Sequence, residues 1–212
     1  MMSTKLMEPL GLSESFQRVL DGYARARRGE TFGSEHPVWT HFRRIAEIIN
    51  ESGTLGSTGR LRLRWSVGQG RWATVPWISV LDSRETERIT EGFYVAYLFR
   101  EDMSAMALTL NQGSSDVMIS HKVGAEDVLR RRADLVAAAL PPTLASAGWS
   151  VGVPLDLRAS TKLTRAYNAA SAAHQVYVRG SVPTQEALLA DLAALLAAYQ
   201  KVVPTVRYTG AR

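Results

Sequence analysis

Cysteine is absent from the 212-residue sequence, which excludes disulfide bonds and thiolate metal sites. Long hydrophobic runs are also absent: no stretch approaches the ~20 apolar residues of a transmembrane helix, and the N-terminus has no apolar signal segment. We therefore expect a cytoplasmic protein with no membrane contact. The hydrophobic fraction of 46% against 21% charged residues is typical of a folded globular chain.

Sequence motifs of catalysis are also missing. There is no G-x-x-x-x-G-K-[ST] loop for nucleotide phosphates and no G-x-S-x-G nucleophile turn. The four histidines do not show metal-ligand spacing, and we expect the acidic residues of 82–91 to lie in an exposed loop. The sequence therefore predicts no catalytic residue, no metal site and no cofactor, and any nuclease or NTPase activity would lie in another domain or subunit.

Hydrophobic periodicity predicts a single α+β domain over 1–212, with a central, mainly antiparallel sheet flanked by helices at both ends. The predicted segments are a helical region at 13–52, a sheet core of about four strands at 60–113, a helix at 124–140, short strands at 148–180 and a C-terminal helix at 184–202. Ser13 and Thr184 are predicted N-caps, and Leu135 is placed in the apolar stripe of its helix. Pro76 predicts an edge position or a bulge, because proline cannot donate to a sheet hydrogen bond.

Arginines and a dense group of aromatic residues occur together in the sheet core. The net charge is +5, mostly from arginine, which permits nucleic-acid binding without requiring it. Strict alternation over 61–67 places leucine and tryptophan on one face and Arg62 and Arg64 on the other. A tight turn of sequence GQGR follows, and it ends at Arg71.

Aromatic residues in this region allow two interpretations. Three tryptophans lie at positions 65, 72 and 77, and strand 91–99 alternates between two apolar faces. Most of these side chains are expected to form the core. The face that carries Tyr94, Ala96 and Leu98, together with Trp77, would instead form a flat slot for a stacked base if no helix covers it.

Two runs in the middle of the chain resemble the McrB-like N-terminal domain family. They are SVGQGRWATVPWISVLD and GFYVAYLFREDMSAMALTLNQG, which share with the family the patterns G-x-G-x-W/F-x-x-x-P-W, G-x-Y-x-x-Y-L-F and L-x-L-x-Q-G. The resemblance continues through Tyr167 to the closing PTQEALLADLAALLAAY, so it covers nearly the whole chain. This family supplies the modified-cytosine recognition part of methylation-dependent restriction systems.

The resemblance implies a non-catalytic domain that binds double-stranded DNA and flips a modified cytosine, 5-methylcytosine or a derivative, out of the duplex. Base flipping exposes a base that is otherwise hidden in the stack. By its match to the family motifs, the base pocket would consist of Trp77, Leu98 and Tyr167. The implied partners are DNA that carries the modified base and a nuclease or motor, either in the same chain or in another.

The resemblance also implies that the turn Gly68, Gln69 and Gly70 inserts into the duplex. Gln69 departs from the aromatic residue found at this point in the best-known relative. Glutamine can hydrogen-bond an orphaned guanine but stacks less well. This departure favours the main alternative, a protein-interaction module of a defence system without base flipping, and a metal-dependent nuclease is a third hypothesis.

Three arginines border the predicted insertion turn. Arg62, Arg64 and Arg71 are the candidates for phosphate contacts, because phosphates attract guanidinium groups irrespective of DNA sequence. The alternative interpretation is that they form a solvated sheet face.

Overall fold

The computed structural model describes residues 10–158, 160–203 and 205. The ends of the predicted 1–212 domain therefore lie outside the described residues. The described part of the chain folds as one α+β domain, with a six-stranded antiparallel sheet flanked by seven helices. The predicted fold class is confirmed.

The elements alternate along the chain in three groups: helices, then a run of strands, then mixed short elements before a long final helix. They are α1 (Leu12–Gly29), α2 (Pro37–Glu51), β1 (Leu61–Gly68), β2 (Trp72–Asp82), β3 (Phe93–Phe99), β4 (Ala105–Gln112), α3 (Ser115–Ser120), α4 (Ala125–Ala139), α5 (Pro142–Ser146), β5 (Ser150–Val151), α6 (Lys162–Ala169), β6 (Ala173–Val178) and α7 (Gln185–Val202).

The sheet begins with a meander, since β1, β2, β3 and β4 are neighbours in chain order. Strand β6 then pairs with β4, and the two-residue β5 forms the far edge. Every pairing is antiparallel. The predicted four-strand meander is confirmed, whereas the first of the short strands predicted at 148–180 is reduced to the two residues of β5.

The two faces of the sheet bury different sets of side chains. On one face the main hydrophobic core includes Phe93, Tyr97 and Phe99 of β3, together with residues of α1, α2 and α7. On the other face Tyr94, Ala96 and Leu98 form a smaller cluster with Leu155 and Leu157. The predicted alternation of β3 is confirmed, because side chains two residues apart share a face.

Of the two predicted N-caps, Thr184 is confirmed and Ser13 is wrong. Thr184 caps α7 as predicted, and its hydroxyl accepts a hydrogen bond from the backbone N–H of Ala187. Ser13 is wrong as the N-cap of α1, because the helix already begins at Leu12. The backbone N–H of Leu12 donates to Gln185 Oε1 of α7 at 3.0 Å. A partner distant in sequence thus replaces the local cap.

Pro76 lies in a β-bulge, which is one of the two positions predicted for it. Ser66 pairs with Trp77, but the next pair is Gly68 with Trp72, so four residues of β2 lie opposite one residue of β1. Strand β2 is not an edge strand, since β3 pairs with it from Trp77 onward. The register shift therefore lies directly before the β1–β2 turn.

Two further details differ from expectation. Leu135 is 53% exposed, so it does not belong to the buried stripe of α4. The short helix α6 was not predicted, although it carries Tyr167. In the described ranges, no helix combines the length and the apolar character needed to cross a bilayer.

Candidate functional site

A small, partly enclosed cavity of about 40 Å³ lies on the sheet face opposite the main core. Its floor consists of two small side chains, Ser79 of β2 and Ala96 of β3, which are paired across the strands. Larger residues flank them on the same face: Trp77 is paired with Leu98 on one side, and Tyr94 with Asn111 on the other. The cavity therefore follows from the sizes of alternate side chains on two strands.

The rim of the cavity comes from outside the sheet. Ile89 and Thr90 precede β3, and Tyr167 extends from α6. The hydroxyl of Tyr94 donates to the carbonyl of Ile89 at 3.2 Å, which holds this part of the rim. The side-chain amide of Asn111 donates to the carbonyl of Tyr167 at 3.1 Å and positions α6. Wall residues thus hold the rim on both sides.

Burial determines the electrostatics of the cavity. It raises the pKa values of the Tyr94 and Tyr167 phenols, because a buried phenolate is poorly solvated. Both hydroxyls are therefore neutral at physiological pH. No residue that lines the cavity carries a formal charge, within the part of the chain that the structure describes. Such a site suits a neutral, flat ligand with polar edges.

Gly113 allows the rim to approach the end of β4. A Cβ atom built there would lie 2.1 Å from the backbone nitrogen of Glu91 and 2.2 Å from the backbone carbon of Thr90. The backbone N–H of Gly113 donates to the carbonyl of Gly92 at 2.8 Å. The glycine that ends the L-x-L-x-Q-G pattern is therefore required by packing against the rim.

The three residues predicted as a base pocket all line this cavity. Trp77, Leu98 and Tyr167 come from β2, β3 and α6. Sequence reasoning missed Ser79, although its spacing of two from Trp77 on a strand indicates the same face. It also missed Thr90, for which no sequence pattern gives a signal.

The turn Gly68–Gln69–Gly70 projects beside the cavity. Gly68 has φ +129°, and a Cβ atom there would lie 1.9 Å from the carbonyl oxygen of Arg71, so the turn itself requires glycine. Gly70 has φ +66° and faces open space. Gln69, between them, is exposed. The backbone explains Gly68 without a close approach to DNA.

The base of this turn is anchored from the helical side. The buried hydroxyl of Tyr23 lies 3.0 Å from the carbonyl of Val67 and 2.9 Å from that of Ala73, one on each side of the turn. The indole N–H of Trp72 donates to the carbonyl of Glu30 at 2.9 Å. These contacts fix the position of the turn relative to α1 and leave only its tip free of core contacts.

Two open grooves border the turn. Their volumes are about 730 Å³ and 860 Å³, and both include Gly68, Gln69, Trp77 and Ile89 among their walls. The partly enclosed cavity shares Trp77 and Ile89 with both grooves. The cavity therefore lies where the two grooves meet.

The predicted phosphate-binding arginines differ in their surroundings. Arg64 lines the first groove and Arg71 the second, and both are exposed. Among the described residues, neither has a carboxylate within ion-pairing distance. Arg62 is 3.6 Å from Glu87, and both side chains are more than half exposed. Its charge is thus partly compensated within the protein.

One further arginine lies in the second groove and was missed from the sequence. Arg27 of α1 donates to the carbonyl of Thr74 at 3.4 Å and lies 3.5 Å from Glu101. No local pattern marks it, since its position depends on how α1 packs against β2. Its guanidinium is committed to these partners, in contrast to Arg71.

The predicted exposed acidic loop at 82–91 is confirmed for Glu87 and Glu91 but wrong for Asp82 and Glu85. Asp82 is 1% exposed and forms a bidentate ion pair with Arg84. Glu85 accepts a hydrogen bond from the backbone N–H of Phe93 at 3.0 Å, and burial raises the pKa of its carboxyl group. These carboxylates order the loop. Across the residues that the structure describes, no cluster of three or more metal-ligating side chains occurs.

The fold and site define a single α+β domain whose sheet carries a small aromatic-lined pocket near a glycine-rich turn. Residues 18–204 match the family described as MrcB-like, N-terminal domain, and the chain belongs to this family. The resemblance drawn from the motifs is thereby confirmed. None of the curated proteins compared with the chain matches it.

Proposed function

We propose that the domain binds double-stranded DNA and receives an extruded modified cytosine, 5-methylcytosine or a derivative, in the partly enclosed cavity. One observation carries the proposal: Trp77, Leu98 and Tyr167 converge from three elements on a cavity at the meeting point of two grooves. A base that leaves the stack needs aromatic and apolar surfaces to replace its neighbours, and those side chains provide them.

The cavity must open to accept a base. Its volume of about 40 Å³ holds a few water molecules, which is less than a pyrimidine ring needs. The sheet residues on the floor and walls are fixed by strand pairing, so opening would displace the rim at Ile89, Thr90 and Tyr167 against the two hydrogen bonds that hold it. Closure of the rim over the ring would then exclude water and strengthen the contacts.

The turn and the arginines have complementary roles in this proposal. Gln69 at the exposed tip enters the space that the base leaves, and its amide hydrogen-bonds the orphaned guanine. Arg64 and Arg71 contact phosphates on the two sides of the turn, because both are exposed and unpaired in the described part of the chain. Arg62 contributes less, since Glu87 already lies beside it.

In this role the domain performs no catalysis itself. We propose that it serves a modification-dependent restriction system in the cytoplasm, and that the nuclease or motor lies in another domain or another chain.

The proposal is tested with two short duplexes that differ only in a central 5-methylcytosine, each with 2-aminopurine beside the target. We expect tighter binding of the modified duplex at physiological salt, together with a rise in 2-aminopurine fluorescence as the neighbouring base unstacks. Binding of both duplexes with equal affinity and no fluorescence change would exclude base flipping.

A second candidate is the protein-interaction module. Two apolar side chains near the α3–α4 connection favour it, since Ile119 is 75% and Val123 93% exposed. This function predicts no salt-dependent DNA binding, so the same titration at several salt concentrations separates the two candidates.

A further inference from the structure

Two hydroxyl groups in the cavity have no hydrogen-bond partner within the described part of the chain. They are Ser79 Oγ on the floor and Thr90 Oγ1 on the rim, and both atoms are buried. Ser79 as a whole is 1% exposed. Proteins rarely leave a buried hydroxyl unpaired, because its desolvation is then uncompensated. Other buried hydroxyls such as Ser15 Oγ also lack a partner, but Ser79 and Thr90 line the cavity, where a bound ligand can supply the missing partners.

Two other polar side chains that line the cavity, Tyr94 and Asn111, already have hydrogen-bond partners in the protein, and the Tyr94 hydroxyl donates to the carbonyl of Ile89. The amide of Asn111 donates to the carbonyl of Tyr167, and its oxygen accepts from the backbone N–H of Gln112 at 2.8 Å. The hydroxyls of Ser115 and Tyr167 also line the cavity, but among the described residues that line it, Ser79 Oγ and Thr90 Oγ1 are the two polar atoms that are buried without a partner. Each can donate one hydrogen bond and accept others.

The depth of Ser79 determines which edge of a base it meets. A flipped pyrimidine remains attached to its sugar through N1, so N1 stays at the mouth of the cavity. The opposite end of the ring, with the 4-amino group and the substituent on carbon 5, points to the floor. The faces of the ring are left to the aromatic and apolar walls, and hydroxyls meet its edges.

We propose that Ser79 and Thr90 are specificity-determining residues, and that Ser79 makes the cavity favour a cytosine whose 5-substituent can accept a hydrogen bond, such as hydroxymethyl, over one with methyl. The inference rests on the proposed function.

Matching the donors and acceptors of the base to those of the cavity supports this preference. The 4-amino group donates to Ser79 Oγ, and ring N3 accepts from Thr90. The hydroxyl hydrogen of Ser79 then needs an acceptor, which a methyl group lacks and a hydroxymethyl oxygen provides.

The test compares duplexes with a central cytosine, 5-methylcytosine or 5-hydroxymethylcytosine. We expect the wild-type protein to bind the hydroxymethyl duplex about fivefold more tightly than the methyl duplex. Ser79→Ala is expected to remove this difference while it keeps the 2-aminopurine signal. Thr90→Val is expected to weaken both modified duplexes by about fivefold.

Ser15→Ala is the matched control, because Ser15 Oγ is also buried and unpartnered but lies on α1, away from the cavity. It is expected to leave all three affinities unchanged. The thermal midpoint of free Ser79→Ala is expected to equal or exceed that of the wild type, since an unpaired hydroxyl is removed. A lower midpoint would indicate a structural partner for Ser79 and would contradict the proposal.

The outcomes separate the two proposals. If the wild type prefers modified duplexes but Ser79→Ala retains the wild-type ratio of hydroxymethyl to methyl affinity, the role of Ser79 is overturned and base flipping stands. If the wild type binds all three duplexes alike with no 2-aminopurine signal, base flipping and the role of Ser79 both fall.

Discussion

Of the three neighbouring tryptophans Trp65, Trp72 and Trp77, it is Trp77 that lines the cavity. Trp65 packs against Trp39 and Phe42, and Trp72 against Tyr23, all on the helical side of the sheet. We expect Trp77→Ala to remove about 1–3 kcal/mol of binding to the modified duplex, because stacking on the extruded base is lost. Binding to unmodified duplex should change much less.

The matched control is Trp77→Phe, which keeps an aromatic face and should retain most of the preference. Both variants are measured by fluorescence anisotropy on duplexes with and without the modified base. Equal losses on the two duplexes would show that Trp77 contributes to general affinity and does not contact the base.

Loss of either unpaired arginine, Arg64 or Arg71, should weaken binding to all duplexes equally. Arg64→Ala and Arg71→Ala are each expected to lower the slope of log affinity against log salt by about 0.9, the value for one phosphate contact on duplex DNA. Arg62→Ala should have a smaller effect, because Glu87 lies beside it. Arg18→Ala is the control, since Arg18 of α1 is paired with Glu14 and lines neither of the two grooves at the turn.

Salt titrations of each variant on modified and unmodified duplexes provide this measurement. A loss confined to the modified duplex would contradict a phosphate role and would indicate instead that the arginine contacts the extruded nucleotide or its surroundings.

The β1–β2 turn is the element whose geometry depends most on glycine. Gly68→Ala is expected to destabilise the fold by at least about 3 kcal/mol, because the added Cβ meets backbone that must move. Gly70→Ala should cost only about 1 kcal/mol, since its Cβ faces open space and only the positive φ is unfavourable. Urea unfolding of the two variants measures the difference. Similar losses would mean that the turn rearranges to accept the first substitution.

Strands and long helices were predictable from the sequence because their signals are local. Alternation separated the two faces of β3, and Thr184 marked the start of α7. The cap of α1 was not predictable, since it is supplied by Gln185 from the far end of the chain. Helix α6 has eight residues, too few turns for its apolar periodicity to stand out, and its capping box at Thr161 uses threonine where glutamate or glutamine is usual.

The candidate site was predictable in part for the same reason. The motif residues identified Trp77, Leu98 and Tyr167, but only the sheet register shows that Ser79 and Ala96 leave a depression between them. The rim depends on contacts across the chain, such as Tyr94 with the carbonyl of Ile89. A sequence pattern records which side chains are present on a strand, and it does not record what a later loop places above them.

At the scale of the whole molecule, binding and stability are linked. A duplex that binds the folded domain and not the unfolded chain stabilises the fold, by about 2.7 kcal/mol when its free concentration is one hundred times Kd. For a domain of this size, that corresponds to a rise in thermal midpoint of about 5–10 °C. At one fixed concentration, the modified duplex should therefore raise the midpoint more than the unmodified one.

Ala96→Leu provides the control for this thermal experiment, because a larger side chain on the floor fills the cavity and leaves the turn and the arginines in place. In this variant we expect both duplexes to give the same small rise in midpoint, since non-specific phosphate binding persists while the base has no site. If the variant still distinguishes the two duplexes, the modified base is recognised outside the cavity. The grooves beside Gln69 would then be the surfaces that read it, and the partly enclosed cavity would be a packing feature of the sheet.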